Sequence, residues 1–363
     1  MRIIQLIDSL EAGGAERMAV SYANALSNTI EFSGLVATRN EGALKEQIDQ
    51  KVNYFFLNKK SNLDAKAFLK FRKFIVENKI QIIHAHSSSF FWATLLKGSL
   101  PKIKVIWHDH YGNRIHQENS STSILKFCSK MFYGSITVNE ELKKWAQVNL
   151  KCKKVIYLPN FIPDTTIQGL ENTVLKGIEG KRIVFLANLK NPKNHLTILE
   201  AFNVVHEKHP DWSIHLIGKE YQDSYSNTLH EYIKEFNLQD AIFTYGSCKD
   251  ISSILQQANI GVLGSTYEGF PVTLLEYGAA SLIVMSTNVG YCSKIITNEE
   301  NGFLFNPIDL NEIIATFEKV ISRTEKQDKK ILKIGKQLNQ TINDNFTESI
   351  VIHKYIDFIT NSD

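Results

Sequence analysis

Cysteine is scarce in this 363-residue chain, and its spacing suits neither a metal site nor a redox pair. The four cysteines are Cys128, Cys152, Cys248 and Cys292, which lie far apart, and no C-x-x-C occurs. The sequence therefore gives no support to a zinc ribbon, a thioredoxin-type motif or a disulfide-stapled scaffold. Cysteine usage of this kind favours a reducing, cytoplasmic setting.

Long apolar runs are also missing. No stretch approaches the roughly 18–20 apolar residues that a membrane-spanning helix needs. The apolar stretch that precedes Asp8 is too short for the core of a signal peptide and is typical of a first β-strand. We therefore expect a cytoplasmic protein whose contact with a membrane is peripheral, at the inner face.

Glycine and proline are too few for a fibrous or largely disordered chain, with 19 and 7 residues respectively. The hydrophobic share of 43% and charged share of 22% are those of a globular protein, and the length suits two domains of about 150–200 residues. The formal net charge of +3 hides an asymmetry. Residues 1–163 hold 23 Lys and Arg against 13 Asp and Glu, which indicates an anionic partner for the first half.

Apolar strand-like segments alternate with helix-like segments along both halves, as in a sheet of parallel strands with helical crossovers. The strand-like segments are 2–7, 34–38, 52–57, 81–86, 104–108, 135–138, 154–158, 182–187, 212–218, 241–246, 260–264 and 281–286. The helix-like segments are 15–26, 63–79, 89–98, 139–147, 195–208, 227–236, 250–258, 270–280 and 345–360.

The alternation of strand-like and helix-like segments is interrupted at 159–170, where prolines and polar residues predict a linker. We predict an N-terminal domain over 1–162 and a second Rossmann-like domain over 163–342. The C-terminal segment 343–363 is predicted to return as a helix to the first domain. Two such domains would bind ligands at the carboxyl ends of their strands, facing a shared cleft.

The most informative motif lies at a predicted strand–helix junction, in the run STYEGFPVTLLEYGAA over 265–280. Glu268 follows the strand, Pro271 suits the first turn of the helix, and Glu276 lies further along it. A helix N-terminus binds anions through its free N–H groups. A phosphate there, with a carboxylate on either side for hydroxyl groups, fits a sugar nucleotide.

This motif resembles the E-x7-E signature of retaining glycosyltransferases of family 4, which have the GT-B fold. The resemblance covers nearly the whole chain and includes 10–18, 82–88, 105–110, 155–162 and 187–202. It implies that the N-terminal domain holds the acceptor and the C-terminal domain holds a nucleotide diphosphate sugar, UDP-linked by default. It also implies that Glu276 binds the donor ribose and that Glu268 lies beside the donor sugar.

The family's Arg-x4-Lys phosphate-binding pair is changed in this chain, since Asn188 stands at the arginine position while Lys193 keeps the lysine. Lys190 is a candidate replacement for the missing positive charge. The resemblance assigns His108, Glu268 and Lys193 to catalysis. The donor-binding candidates are Gly13, Gly14, Asn188, Lys190, Lys193, Cys248, Glu268, Gly269, Phe270, Pro271 and Glu276.

His84 and His86 end one predicted strand, and His108 and His110 follow on its predicted neighbour. His-x-His pairs without cysteines are a weak signal for zinc, and isolated histidines are more often satisfied polar groups. The acceptor-side candidates are His110, Tyr111 and Arg114. No D-x-D occurs, so we expect no metal cofactor, and lysines with a helix N-terminus would stabilise the leaving diphosphate.

The predicted helix 63–79 carries lysines at 66, 70 and 73 beside bulky apolar residues. Such a helix suits an anionic membrane surface, although a helix packed on the core with a solvated lysine face has the same pattern. Nucleic-acid binding is disfavoured because no stacking aromatic residues recur with the basic ones.

The sequence thus predicts a retaining, metal-independent hexosyltransferase that acts on a glycan or lipid-linked acceptor in surface polysaccharide biosynthesis. Two alternatives remain open. A sugar-nucleotide 2-epimerase shares the architecture, and a non-catalytic sugar-nucleotide-binding protein is compatible with Asn188. A glycosidase also uses two carboxylates, but it is disfavoured because the motif lies at a phosphate-type helix N-terminus.

Overall fold

The computed structural model describes residues 1–11, 13–61, 63–116, 122–164 and 173–361. The chain forms two compact units. Unit 1 comprises Met1–Pro163 together with Glu348–Asp363, and unit 2 comprises Asp164–Thr347. The second half of the predicted linker, residues 165–170, lies outside the described residues.

Within the described residues, unit 1 contains a seven-stranded parallel sheet in the order β3-β2-β1-β4-β5-β6-β7. The strands are β1 (Arg2–Ser9), β2 (Phe32–Asn40), β3 (Asn53–Phe56), β4 (Ile82–His86), β5 (Lys104–Asp109), β6 (Gly134–Thr137) and β7 (Lys154–Tyr157). The helices between them are α1 (Gly14–Ser27), α2 (Ala65–Glu77), α3 (Phe90–Ser99), α4 (Ser123–Cys128) and α5 (Glu140–Asn149).

Unit 2 contains a six-stranded parallel sheet in the order β10-β9-β8-β11-β12-β13, counted over the described part of the chain. The strands are β8 (Arg182–Leu186), β9 (Ser213–Ile217), β10 (Ile242–Thr244), β11 (Ile260–Leu263), β12 (Ile283–Thr287) and β13 (Phe303–Phe305). The helices are α6 (His195–His206), α7 (Ser224–Glu235), α8 (Ile251–Gln256), α9 (Val272–Ala279), α10 (Cys292–Ile295), α11 (Leu310–Glu325) and α12 (Ile331–Asn345).

Central strands are nearly continuously apolar because helices cover both faces of a parallel sheet. Ile183, Val184 and Phe185 of β8 are fully buried, for example, although successive side chains point to opposite faces. The two Rossmann-like sheets confirm the predicted α/β architecture of a GT-B protein.

The last helix, α13 (Glu348–Thr360), packs within unit 1. Its Tyr355 ring lies 5.2 Å from the Tyr22 ring of α1, between centroids. Lys154 of β7 donates a hydrogen bond of 2.7 Å to the carbonyl of Asn361, just beyond the helix. The burial of Tyr355 and Phe358 explains why this helix is apolar on one side.

The predicted start of the returning segment at residue 343 is wrong, because α12 continues to Asn345. The helix continues because Ile342, which packs closely over Gly278 of α9, and Phe346 after it are both buried. Among the described residues, no helix is both long enough and apolar enough to cross a membrane.

Candidate functional site

The carboxyl ends of β8 and β11 bring together two predicted catalytic side chains. Lys193 lies between β8 and α6, and Glu268 lies between β11 and α9. Because β8 and β11 are adjacent and parallel, the two loops meet at one edge of the sheet. Lys193 Nζ lies 2.7 Å from Glu268 Oε1, and Ser265 donates a hydrogen bond of 2.7 Å to the same oxygen.

The backbone around Glu268 is held by contacts that sequence reasoning missed. Gly290 follows β12 with a φ of +56°, and a Cβ added to it would lie 1.9 Å from the carbonyl oxygen of Glu268. Only glycine fits this close approach in a left-handed conformation. The N–H of Thr266 also donates to the carbonyl of Pro192 at 2.9 Å, which joins the two loops.

The predicted position of Pro271 is wrong by one residue. Pro271 precedes the first residue of α9, with a φ of −80°, rather than occupying the first turn. Its neighbour Phe270 is buried, with its ring 5.1 Å from the Tyr291 ring and 5.6 Å from the Phe346 ring, between centroids. The Phe270 side chain therefore anchors the loop in the core, so only the backbone of this residue remains as a donor-binding candidate.

Helix α9 is fixed against the sheet by Tyr277. Its hydroxyl accepts a hydrogen bond of 2.8 Å from the N–H of Leu186 and lies 3.0 Å from the carbonyl of Val262. The hydroxyl thereby ties α9 to the ends of β8 and β11 at once. Glu276, the residue before it, is half-buried on the same helix, and Gly269 lies in the loop before α9.

Two lysines flank one aromatic ring beside the Lys193 loop. Lys190 Nζ lies 5.6 Å and Lys219 Nζ 5.3 Å from the centroid of Tyr221. Asn188 does not supply charge. Its Oδ1 instead accepts a hydrogen bond of 2.9 Å from the N–H of Lys219 and so positions that residue after β9. Lys219 was not predicted from the sequence because it belongs to no motif. The signal that could have identified it is its position just after a central strand.

Cys248 follows β10 at the same edge of the sheet. Its half-buried thiol lies 3.7 Å from the carbonyl of Tyr245 and 3.9 Å from that of Gly246. Five donor-binding candidates thus lie in loops that follow parallel strands, at one edge of the sheet: Asn188, Lys190, Lys193, Cys248 and Glu268.

His108 is placed differently from the prediction. The contact with a donor sugar requires an accessible ring, but the His108 side chain is fully buried. Its ring lies 4.0 Å from that of His110, 5.2 Å from that of His84 and 5.4 Å from that of His86, between centroids. Burial lowers the pKa of His108 well below its ordinary range, so the ring is neutral. The parallel pairing of β4 and β5 explains the arrangement, because His86 and His108 are direct partners in the register.

The acceptor-side candidates divide between the interior and the surface. Arg114 forms an ion pair with the buried Asp109, and its guanidinium lies 5.1 Å above the Trp107 ring. The N–H of Tyr111 donates to the same carboxylate at 3.1 Å. Arg114 therefore fixes the short helical turn Gly112–His116, whereas the Tyr111 ring is 44% exposed and accessible to a ligand.

Gly13 and Gly14 lie in unit 1, where Gly13 precedes α1 and Gly14 begins it. Neither has a positive φ, and Gly13 is extended at −153°, so the backbone conformation does not require glycine at either position. A Cβ added to Gly14 would meet no atom within 4 Å, which leaves the backbone there open to a ligand.

Two family models together span most of the chain. Residues 172–337 match the model described as "Glycosyl transferases group 1", and residues 12–165 match that described as "Glycosyltransferase Family 4". The chain is a GT-B glycosyltransferase of the group 1/family 4 type.

Curated relatives of this glycosyltransferase cover nearly its full length. In an alignment of 386 residues, it is 24% identical to the UDP-Gal:alpha-D-GlcNAc-diphosphoundecaprenol alpha-1,3-galactosyltransferase of Escherichia coli. The alignment covers 99% of this chain and 97% of that one. The chain is also 24% identical over 329 residues to a glycosyltransferase of Haemophilus influenzae, covering 86% and 88% of the two chains. The crystal structure of Anabaena HepE with UDP and glucose has a TM-score of 0.81 at 15% identity, with 100% of both chains covered, which supports the GT-B fold.

Proposed function

We propose that this glycosyltransferase moves a hexose from a nucleotide diphosphate sugar to a glycan or lipid-linked acceptor, with retention of configuration. The observation that carries the proposal is the Lys193–Glu268 pair at the carboxyl edge of unit 2, with Lys190 and Lys219 beside it. A uridine diphosphate donor is favoured because the E. coli relative is named for UDP-Gal and the Anabaena structure holds UDP.

The proposed roles follow from charge and position. Lys193, with Lys190 and Lys219, neutralises the diphosphate as negative charge builds on it, and the N–H groups at the start of α9 add to this. Glu276 accepts hydrogen bonds from the ribose hydroxyls, and Glu268 accepts them from the sugar. No divalent ion is required at the diphosphate in this scheme. His108 has no exposed surface, so we leave it out of the groups that touch the substrate.

In the proposed reaction, the acceptor attacks the anomeric carbon from the same face from which the leaving group departs. The bond between the anomeric carbon and the diphosphate oxygen breaks first, and an oxocarbenium-like centre develops. The acceptor hydroxyl oxygen then forms the new bond on that face, and its proton passes to the departing phosphate oxygen. The lysines hold the diphosphate in place through both events, which keeps its oxygen within reach of that proton.

The acceptor side of the proposal uses unit 1, with the exposed Tyr111 ring as a contact for a sugar. The outer face of helix α2 mixes basic and apolar groups. This favours the proposal that the acceptor is lipid-linked and belongs to surface polysaccharide assembly. Leu69 and Val76 are 65% and 51% exposed, and Lys66, Lys70 and Lys73 lie exposed among them. Such a face binds anionic headgroups and inserts apolar side chains between them.

Two other functions fit the same nucleotide-sugar site. A sugar-nucleotide 2-epimerase would turn over its substrate without an acceptor, and a non-catalytic protein would bind the donor and convert nothing. The experiment is an incubation of the purified protein with a panel of nucleotide sugars, with and without cell-membrane lipids. Nucleotide diphosphate release that needs one donor and rises with lipid supports the transferase. An epimerised sugar without release, or tight binding without either product, would replace it with one of the alternatives.

A further inference from the structure

Four histidines from two neighbouring strands form one cluster inside unit 1. His84 and His86 lie on the same face of β4, and His108 of β5 is the direct partner of His86 in the register. His110 follows β5 and stacks on His86 at 5.2 Å between ring centroids. His84, His86 and His108 have no exposed surface, so the cluster belongs to the interior of the unit.

Five ring nitrogens of this cluster have no hydrogen-bond partner among the described residues. Both nitrogens of His84, both of His108 and Nδ1 of His110 are buried without one. An unsatisfied buried polar atom costs about 1–3 kcal/mol, and native proteins contain few of them. Isolated core histidines avoid this cost by pairing with a neighbour, as His215 of unit 2 does with Ser213 and Tyr245. The concentration of unpaired nitrogens at one point therefore indicates a ligand that accepts several lone pairs.

His86 has the hydrogen bond that a metal-binding histidine requires. Its Nε2 lies 2.9 Å from Oε1 of the buried Gln5, and because an amide oxygen only accepts, Nε2 carries the proton. The lone pair is then on Nδ1, which accepts a hydrogen bond of 2.9 Å from Nε2 of His110, so a bound ion would replace this hydrogen bond. Histidine ligands commonly donate the other ring N–H to a carbonyl, which fixes the tautomer and the ring orientation.

We propose that His84, His86 and His108 hold a divalent transition-metal ion, with zinc as the first candidate and His110 as the fourth ligand. One ligand atom from each of the first three residues lies within 4.8 Å of the others. Imidazole nitrogen suits zinc, cobalt, nickel and copper, whereas magnesium and calcium prefer oxygen.

The ion would join the carboxyl ends of β4 and β5, and its role is structural. It is independent of the diphosphate chemistry proposed for unit 2. It differs from the sequence-based expectation of no metal cofactor, which rested on the absence of D-x-D. The rings of Tyr22 and Tyr355 lie 5.1 Å and 5.0 Å from that of His84, so the ion would also stabilise the attachment of α13 to the unit.

The test uses untagged full-length protein, whose metal content is measured by mass spectrometry after gel filtration. The same protein is unfolded, refolded in a chelator, and then refolded with zinc or cobalt. We expect about one ion per chain, a higher unfolding temperature after refolding with zinc, and the visible absorption of tetrahedral cobalt. Wild-type protein that folds without metal and shows neither a zinc-dependent shift nor a cobalt spectrum would overturn the proposal.

Variants locate the ion. His84→Phe and His86→Phe keep a ring of similar size but remove a ligand, and each is expected to lower the zinc content at least tenfold. His206→Phe in unit 2 is the matched control, since its Nδ1 is also buried without a partner and its ring also packs on an aromatic neighbour, and it is expected to retain zinc. Equal zinc in all three variants would place the ion elsewhere and contradict the assignment. If a variant does not fold, the cobalt spectrum of the wild-type protein still tests whether the chain binds a metal ion.

Discussion

Lys193 Nζ and Glu268 Oε1 lie 2.7 Å apart, and they come from loops that follow two adjacent strands of one sheet. The side chains are 25% and 11% exposed, so the pair is shielded from water on most sides but remains accessible. The carboxylate holds the ammonium group at the edge of the sheet, where the proposed diphosphate would replace part of the contact. Under the proposed function, the pair would present a positive charge in a fixed position before the donor binds.

Replacing Lys193 by Met should remove most of the transfer activity. A fixed charge that meets the leaving group contributes about 10²–10³ in kcat, so we expect a fall of at least 100-fold. Glu268 retains its bond from Ser265, so folding should be little affected. Lys181→Met in the same unit, which removes an exposed ion pair with Asp211, is the control and should leave kcat unchanged. Equal activity of the two variants would contradict the role of Lys193.

Lys190 and Lys219 should share the charge that Asn188 does not provide. Each single change to Ala is expected to weaken UDP binding several-fold, and the double change about 10–100-fold, measured by calorimetry. The effect should diminish as salt rises, because it is electrostatic. Lys234→Ala on α7 serves as control. If both single variants and the double variant bind UDP like the wild type, neither lysine replaces the missing arginine.

Gly290→Ala should lower activity more than stability, because the added Cβ would collide with the Glu268 backbone and displace its loop. We expect kcat/KM to fall at least tenfold. Gly98→Ala in α3 is the control, since no atom lies within 4 Å of the added Cβ and alanine favours a helix by about 0.5–1 kcal/mol. That variant should be as active as the wild type and slightly more stable. Full activity of Gly290→Ala would show that the loop position does not matter.

Stability should fall in mild acid because of His215. Burial lowers the pKa of this histidine to about 4 from its ordinary value of 6.5. The unfolded chain then takes up the proton first, so stability is fully present above pH 6.5 and is lost as the pH falls towards 4. His215 alone lowers the free energy of unfolding by about 1.4 kcal/mol per pH unit in this range, or by about 2 kcal/mol between pH 7 and 5.

His215→Gln isolates this effect. The amide keeps hydrogen-bonding groups near Ser213 and Tyr245 but does not titrate. Denaturant unfolding at pH 7 and 5 should show a smaller acid loss in the variant, by about 2 kcal/mol. An unchanged difference between wild type and variant at the two pH values would assign the acid sensitivity to other groups.

Helix α2 should carry the contact with anionic lipid. Changing Lys66, Lys70 and Lys73 to Glu reverses its exposed charge, and sedimentation with anionic vesicles should fall at least tenfold while binding to UDP is unchanged. The control changes Lys143 and Lys144 of α5, also in unit 1, to Glu. Equal vesicle binding by both variants would leave α2 as a helix packed on the core with a solvated face.

Much of the fold follows from the sequence because parallel strands buried on both faces are continuous apolar runs. The short β13 escaped notice, since three residues flanked by Gly302 and Asn306 form no long run. Helix α12 also escaped, because its buried residues recur among lysines and amides, and its extent depends on packing over Gly278.

The candidate site was predictable where its side chains form a sequence motif, but not where the backbone geometry determines which residues lie close together. Glu268, Lys193 and Glu276 were predicted from the resemblance of their motifs to a known family, whereas Gly290 and Lys219 come near these residues only through the strand order. The burial of His108 could not be predicted, because it depends on partners from β4 and α1 that are distant in the sequence.

The most direct measurement of the central claim is the anomeric configuration of the product, followed by NMR in the presence of a chelator. The reaction contains purified protein, the donor selected from the nucleotide-sugar panel, and its acceptor. The account predicts that a product forms under these conditions and that its new linkage has the configuration of the donor. A product of inverted configuration, or a reaction of the zinc-loaded protein that requires added magnesium or manganese, would contradict it.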